Sequence, residues 1–105
     1  MKRGEVWWAD LEPPAGRRPV LLVSRDEAYA VRALVTVAPV TTRIRGIPVE
    51  VELRPEDGLP RRCVANLDSL VTIPKQQLRQ HIATLQPPKV QALDAAIRFA
   101  LGLRA

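Results

Sequence analysis

The first two thirds of the chain carry apolar residues at the short periods of β-strands. A continuous apolar run, Val20–Val23, predicts a strand that is buried on both faces. The strict alternation over Val49–Leu53 predicts a strand with one face in solvent. Other runs rich in apolar and β-branched residues predict further strands at 6–11, 34–38, 63–67, 71–73 and 82–85.

Helical spacing is found near the C-terminus, between Pro87, which suits a first helical turn, and Gly102, which suits a helix end. The apolar stripe consists of Val90, Leu93, Ala96, Ile97, Ala100 and Leu101. A turn is expected at Pro55–Gly58 and a short helix at Pro74–Leu78. Strands followed by a helix predict a mainly β fold, in which a curled antiparallel sheet is closed by a C-terminal helix.

Length and composition indicate one soluble domain. With 105 residues the chain has room for a single domain over 1–105, and 47% of its residues are hydrophobic. The start, Met1–Glu5, has no apolar signal core, and no apolar run approaches 18 residues, so we expect a cytoplasmic protein without membrane contact. Cys63 is the single cysteine, which excludes an internal disulfide and a cysteine-based zinc cluster.

The charge is strongly basic. Sixteen Lys and Arg residues against eleven Asp and Glu residues give a net charge of +5, and only three of the basic residues are lysines. Arginine binds phosphate in a bidentate manner, so a phosphate-rich or acidic partner is expected. A GC-rich genome that encodes arginine in place of lysine would produce the same excess of arginine.

Several common chemistries are excluded by what the sequence lacks. His81 is the only histidine, so one chain cannot form a two-histidine acid–base pair, and neither a nucleophile elbow nor a glycine-rich phosphate loop is present. The carboxylate pairs Asp10/Glu12 and Glu50/Glu52 are each spaced to share a strand face. Solvated strand faces explain such pairs better than a metal site does, so no metal cofactor is expected.

One constellation suits phosphate chemistry. Arg17 and Arg18 precede the strand at 20–23, and Thr41 and Thr42 follow the next long strand. Residues that flank adjacent strands can meet at one rim of a sheet, where an arginine fork and a threonine hydroxyl would bind a phosphate. A solvated turn and a strand end remain the alternative explanation.

A series of motifs resembles one family along nearly the whole chain. They are Arg3–Pro13, Arg17–Ser24, Val37–Thr42, Cys63–Asp68, Ile82–Leu85 and Leu101–Leu103. In this order and at this spacing they resemble the MazF/PemK (Kid) toxins of type II toxin–antitoxin systems. The resemblance implies a small SH3-like barrel of antiparallel strands with a C-terminal helix, which works as a homodimer. It also implies metal-independent, sequence-specific cleavage of single-stranded RNA, often messenger RNA, and control by an acidic antitoxin.

The same resemblance implies the site residues. Arg18, Thr41 and Asp68 take the catalytic positions: the ribose 2′-OH attacks phosphorus, Arg18 stabilises charge, Thr41 holds an oxygen, and Asp68 or a water accepts the proton. Candidate RNA-binding residues are Arg17, Thr42, Arg43, Arg45 and Trp8. For Trp8, core or dimer packing is the alternative, and for Arg43 and Arg45 it is a solvated loop.

One departure from the family concerns the connection before the Arg-Pro motif. Family members carry a longer loop with a Gly-Ser-Glu-Gln stretch, whereas this chain has only Pro13–Gly16, without an acidic residue. The shared fold and the shortened loop leave two alternative functions. A gyrase poison of the CcdB type shares the fold, but its action depends on a C-terminal tryptophan that is missing here, and a catalytically inactive RNA-binding barrel would fit the shortened loop.

Overall fold

Seven antiparallel strands and two helices make up the computed structural model, which describes residues 1–104. The helices are α1 (Ala28–Val31) and α2 (Pro87–Leu101), and single 3₁₀ turns span Pro55–Asp57, Leu67–Ser69 and Lys75–Gln77. The strands are β1 (Glu5–Asp10), β2 (Arg17–Leu22), β3 (Leu34–Thr41), β4 (Glu50–Leu53), β5 (Cys63–Asn66), β6 (Val71–Pro74) and β7 (Leu78–Thr84).

The strands form one curled sheet in the order β4-β5-β3-β2-β1-β7, and β6 pairs with β3 beside β5. Curling places apolar side chains on both sides of the central strands. In β2, Leu21 packs in one core cluster, while Val20 and Leu22 pack in the other. The prediction that this strand is buried on both faces is therefore confirmed, as is the predicted fold class of a curled antiparallel sheet with a C-terminal helix.

Helix α2 closes the first core cluster. Leu93 and Ala96 are buried against it, and the neighbouring stripe residues are half-buried. The predicted stripe is wrong in its last turn, because Leu101 is 57% exposed. Gly102 ends the helix with a φ of +69°, a left-handed conformation that glycine adopts without strain.

Two local expectations are wrong. The short helix expected at Pro74–Leu78 is only the 3₁₀ turn Lys75–Gln77, because Pro74 belongs to β6 and Leu78 already pairs with Ala9 of β1. Sheet pairing therefore outweighs the helix-start signal of the proline, and β7 begins four residues before the expected strand at 82–85. The helix α1 had no counterpart in the sequence prediction.

Pro39 lies inside β3, which runs three residues beyond its expected end at Ala38. On one side Pro39 pairs with Val20 of β2. On the other side β3 changes partner at this point, from β6 at Val37 to β5 at Val40, so a missing N–H donor is tolerated here. Over the described residues, no helix is long and apolar enough to cross a membrane.

Candidate active site

The sheet brings Arg18 of β2 and Thr41 of β3 together. Val20 pairs with Pro39, and continuing this antiparallel register by two residues places Arg18 opposite Thr41. Both side chains line a cavity of about 190 Å³, here called the central cavity. Its other lining residues are Pro39, Arg43, Arg45, Glu50, Asn66 and Ser69. The structure therefore unites the arginine and the threonine that the sequence analysis selected.

The Arg18 side chain holds an unused hydrogen-bond donor. It is half-buried, and its Nε atom is buried without a hydrogen-bond partner among residues 1–104. A buried N–H group without a partner is costly in a folded protein and calls for an explanation. Arg18 also lines the central cavity, where the rest of its guanidinium can donate to an anionic oxygen.

The hydroxyl of Thr41 is oriented by the turn that follows β3. Its Oγ1 atom accepts a hydrogen bond of 3.1 Å from the backbone N–H of Arg43. A hydroxyl has one proton to donate and two lone pairs. Because the turn uses a lone pair, the Thr41 proton remains available to an oxygen in the central cavity.

Glu50 holds the loop between β3 and β4 over the central cavity. Its carboxylate accepts hydrogen bonds from the backbone N–H of Arg45 at 3.1 and 3.2 Å and from that of Gly46 at 2.8 Å. The side chains of Arg43 and Arg45, on the same loop, line the cavity. Glu50 thus orders the segment that carries two cations and orients Thr41.

Glu50 and Glu52 are equivalent in the sequence pattern, but the structure separates their roles. Glu52 forms ion pairs of 2.7 Å with Arg62 and Arg54, whose hydrogen bonds lower the pKa of its carboxyl group. Glu50 instead lines the central cavity. Over the described chain, no group of three His, Cys, Asp or Glu side chains is arranged to hold a metal ion.

Asp68 is not brought into the central cavity. It is exposed in the 3₁₀ turn after β5, and its backbone N–H donates a hydrogen bond of 2.9 Å to Oδ1 of Asn66. Asn66 and Ser69, on either side of it, line the cavity instead. Neither residue is a candidate in the sequence, because the apolar run at 63–67 predicts a strand that continues through Leu67.

A second cavity, here called the Trp8 cavity, has a volume of about 300 Å³. Its lining residues are Trp8, Pro19, Val40, Thr41, Thr42, Leu59, Pro60, Arg61 and Cys63. The Arg17 guanidinium lies 5.1 Å from the centre of the Trp8 ring, a cation–π distance. Burial raises the pKa of the Cys63 thiol, which packs in the first core cluster.

Trp7 and Trp8 project to opposite faces of β1, and both are half-buried. Trp7 packs against the second core cluster, and its indole N–H donates a hydrogen bond of 2.9 Å to the Glu5 carboxylate. Its ring centre lies 5.7 Å from that of His81. Of the two tryptophans, only Trp8 adjoins the candidate site.

A third cavity of about 530 Å³, here called the loop cavity, lies beside the short β1–β2 connection. Three of its lining residues, Leu11, Glu12 and Ala15, belong to this connection. The others are Arg18, Pro39, Ser69, Val71, Thr72, Ile73, Pro74 and Gln77. The connection is closed by a backbone hydrogen bond of 3.0 Å from Leu11 to Gly16. Glu12, which precedes the shortened loop, therefore places a carboxylate in a cavity that Arg18 also lines.

Comparisons with known proteins agree with this architecture. The family model described as PemK-like, MazF-like toxin of type II toxin–antitoxin system matches residues 2–101. The probable endoribonuclease MazF5 of Mycobacterium tuberculosis is 40% identical over 100 residues, which cover 94% of this chain and 91% of the relative.

Two solved mycobacterial structures have the same fold. The Mycobacterium tuberculosis toxin MazF-mt6 superposes with a TM-score of 0.88 at 34% identity, covering 96% of this chain and 99% of that one. An endoribonuclease from a mycobacterial species, solved in complex with its cognate antitoxin, superposes with a TM-score of 0.86 at 28% identity, covering 100% and 98%. This chain belongs to the PemK-like, MazF-like toxin family of type II toxin–antitoxin systems.

Proposed function

We propose that this chain is a toxin that acts as an endoribonuclease, cleaving single-stranded RNA, messenger RNA included, at specific short sequences without a metal ion. The observation that carries the proposal is that Arg18 and the oriented hydroxyl of Thr41 line one cavity. Several of its relatives are named endoribonucleases or probable endoribonucleases, which supports the proposal.

The proposed reaction is an internal displacement at phosphorus. The 2′-oxygen bonds to the adjacent phosphorus, its proton passes to a water molecule, and the P–O5′ bond breaks as O5′ takes up a proton from water. The products are a 2′,3′-cyclic phosphate and a 5′-hydroxyl end. RNA is favoured over DNA because the 2′-OH is the nucleophile.

Each site residue then has a defined part. Arg18 stays protonated and donates to the non-bridging oxygens, where negative charge grows in the transition state. Thr41 donates a hydrogen bond to an oxygen of the same phosphate and so keeps the phosphorus in line with the attacking 2′-oxygen. Asp68 is assigned no step, because its side chain lines none of the three cavities.

The remaining RNA-binding candidates surround this pair. Arg43 and Arg45 line the central cavity, where their charges would bind the phosphate backbone. Thr42 and Trp8 line the Trp8 cavity, and Arg17 contacts the Trp8 ring. Binding by several arginines predicts an RNA affinity that falls steeply as salt is added.

The direct test is to incubate the purified protein with a long single-stranded RNA and excess EDTA. We expect discrete fragments with 5′-hydroxyl ends that disappear in Arg18→Ala. Arg98→Ala, an exposed position on α2, is the matched control and should cut as the wild type does. RNA binding without products in a folded protein would indicate an inactive RNA-binding barrel, and gyrase inhibition without RNA cleavage would indicate a CcdB-like poison.

We also propose that residues 1–105 act as one cytoplasmic toxin domain, as a homodimer, and that an acidic antitoxin holds it in check. The net charge of +5 suits an acidic partner, and the exposed apolar residues Val31, Phe99, Leu101 and Leu103 suit subunit contacts. Light scattering on the purified chain tests the dimer. Rescue of growth by a gene encoding an acidic protein next to the toxin gene tests the antitoxin.

A further inference from the structure

The Trp8 cavity adjoins the central cavity directly, because Thr41 lines both. Its floor is apolar: Val40, Leu59 and Cys63 are buried there. Its rim is polar and basic, with Thr42 and Arg61 exposed. A ligand that fits has a flat apolar body, polar edges and a nearby negative charge.

We propose that the Trp8 cavity binds one nucleobase of the RNA, the base next to the scissile phosphate. This inference rests on the proposed function and adds to it a site for sequence recognition. The indole of Trp8 offers an aromatic surface on which any base can stack. The guanidinium of Arg61 offers donors to acceptor atoms on the edge of the base.

The surroundings of Trp8 favour this occupant over simple core packing. The ring is half-buried and borders an open cavity of about 300 Å³, a size that falls within the range of small-molecule pockets. Arg17 holds the ring through the cation–π contact and adds a positive charge beside it. A single-stranded RNA supplies both a base for the cavity and phosphates for Arg17 and Arg61, whereas an apolar ligand leaves these charges unused.

The position of the cavity fixes which base it reads. Thr41 contacts the scissile phosphate in the proposed reaction, and the same residue forms part of the Trp8 cavity wall. A base in this cavity therefore belongs to a nucleotide that carries this phosphate or directly adjoins it. Arg61 and Trp8 are consequently the residues expected to set the base preference at this position.

The test uses single-stranded tetranucleotides that contain only 2′-deoxyribose and one kind of base, so that binding is measured without cleavage. The two indole N–H signals in the NMR spectrum report on Trp8 and Trp7, and Trp7→Leu assigns them. We expect at least one tetranucleotide to shift the Trp8 signal and the amides of Thr42 and Arg61 in a saturable manner. An abasic tetranucleotide, with the same phosphates, should leave the Trp8 signal in place.

Variants give the expected size of the effect. Trp8→Leu should weaken the affinity for the best tetranucleotide roughly tenfold, a common loss for one stacked base. Trp7→Leu, the same change on the opposite face of β1, should leave that affinity unchanged. Arg61→Ala should alter the order of preference among the four bases, whereas Arg98→Ala should not.

The inference is overturned if none of the four tetranucleotides shifts the Trp8 signal, or if the abasic compound shifts it equally. RNA cleavage together with either result would keep the proposed ribonuclease and remove the base site. Base-dependent shifts in a protein that fails to cleave RNA would support the base site and remove the ribonuclease.

Discussion

Replacing Glu50 by alanine should impair RNA cleavage without unfolding the protein. The Glu50 carboxylate is the acceptor for the backbone N–H groups of Arg45 and Gly46, and no other residue among 1–104 accepts these bonds. Without it, the loop after β3 loses its anchor. The orientation of Thr41 and the positions of Arg43 and Arg45 depend on that loop.

The size of the effect follows from the two lost amide contacts. A hydrogen bond to a charged acceptor contributes about 1.5–3 kcal/mol, but this loop is in contact with solvent, so we assign ~1 kcal/mol to each amide. The sum of ~2 kcal/mol corresponds to a fall in kcat/KM of roughly thirtyfold. Glu50→Gln keeps one oxygen acceptor at reduced strength and should fall by only about threefold.

The assay is kcat/KM on a fluorogenic RNA that contains the mapped cut site, with a thermal melt to show that each variant is folded. Glu52→Ala is the matched control, because Glu52 lies two residues further along the same face of β4 and pairs with Arg54 and Arg62 outside the cavity. It should cut as the wild type does. Unchanged kcat/KM in folded Glu50→Ala, or an equal loss in Glu52→Ala, would refute the reasoning.

Three further predictions test the site and the fold. Thr41→Val should lower kcat/KM roughly a hundredfold, since it removes a donor to the developing charge, while Thr41→Ser should retain most activity in the same assay; equal losses would contradict the hydroxyl's role. Burial, the largest cause, raises the pKa of Tyr29, the only tyrosine, to about 12, so its phenolate absorbance should appear near pH 12 instead of 10. The folded state then binds the proton more tightly, so the stability contributed by Tyr29 should be lost as pH rises from 10 to 12. Leu93→Ala should lower the free energy of unfolding by about 2–5 kcal/mol in denaturant titrations, with Gln91→Ala at an exposed position of α2 as the control.

The sequence predicts the strands that have a strong apolar pattern, and with them the main contact of the site. The runs at 20–23 and 34–38 are neighbours in the chain, and consecutive strands tend to pair, so residues at their facing ends meet. This rule brings Arg17 and Arg18 near Thr41 and Thr42. The family resemblance selects Arg18 and Thr41 among them and implies the role of each.

The remaining site residues depend on short-range geometry that a pattern does not contain. Glu50 and Glu52 lie two residues apart in β4 and therefore share a face. Only the backbone path of residues 42–48 decides which of the two carboxylates accepts hydrogen bonds from the loop amides. Likewise, β5 ends at Asn66 and a 3₁₀ turn follows, which places Asp68 outside the cavity. A shift of one residue at a strand end thus changes which side chain faces the site.

The three cavities are arranged so that the two sides of the scissile phosphate meet different surfaces. Thr41 lies between the Trp8 cavity and the central cavity, and Arg18 lies between the central cavity and the loop cavity. An RNA strand that places its phosphate on this pair therefore passes the aromatic cavity on one side and the short connection at residues 11–16 on the other. The short connection has few side chains to read a base, whereas Trp8 and Arg61 offer stacking and hydrogen bonds. We therefore expect base preference to be concentrated on one side of the cut in a library of cleaved RNA ends, and a motif of equal strength on both sides would contradict this arrangement.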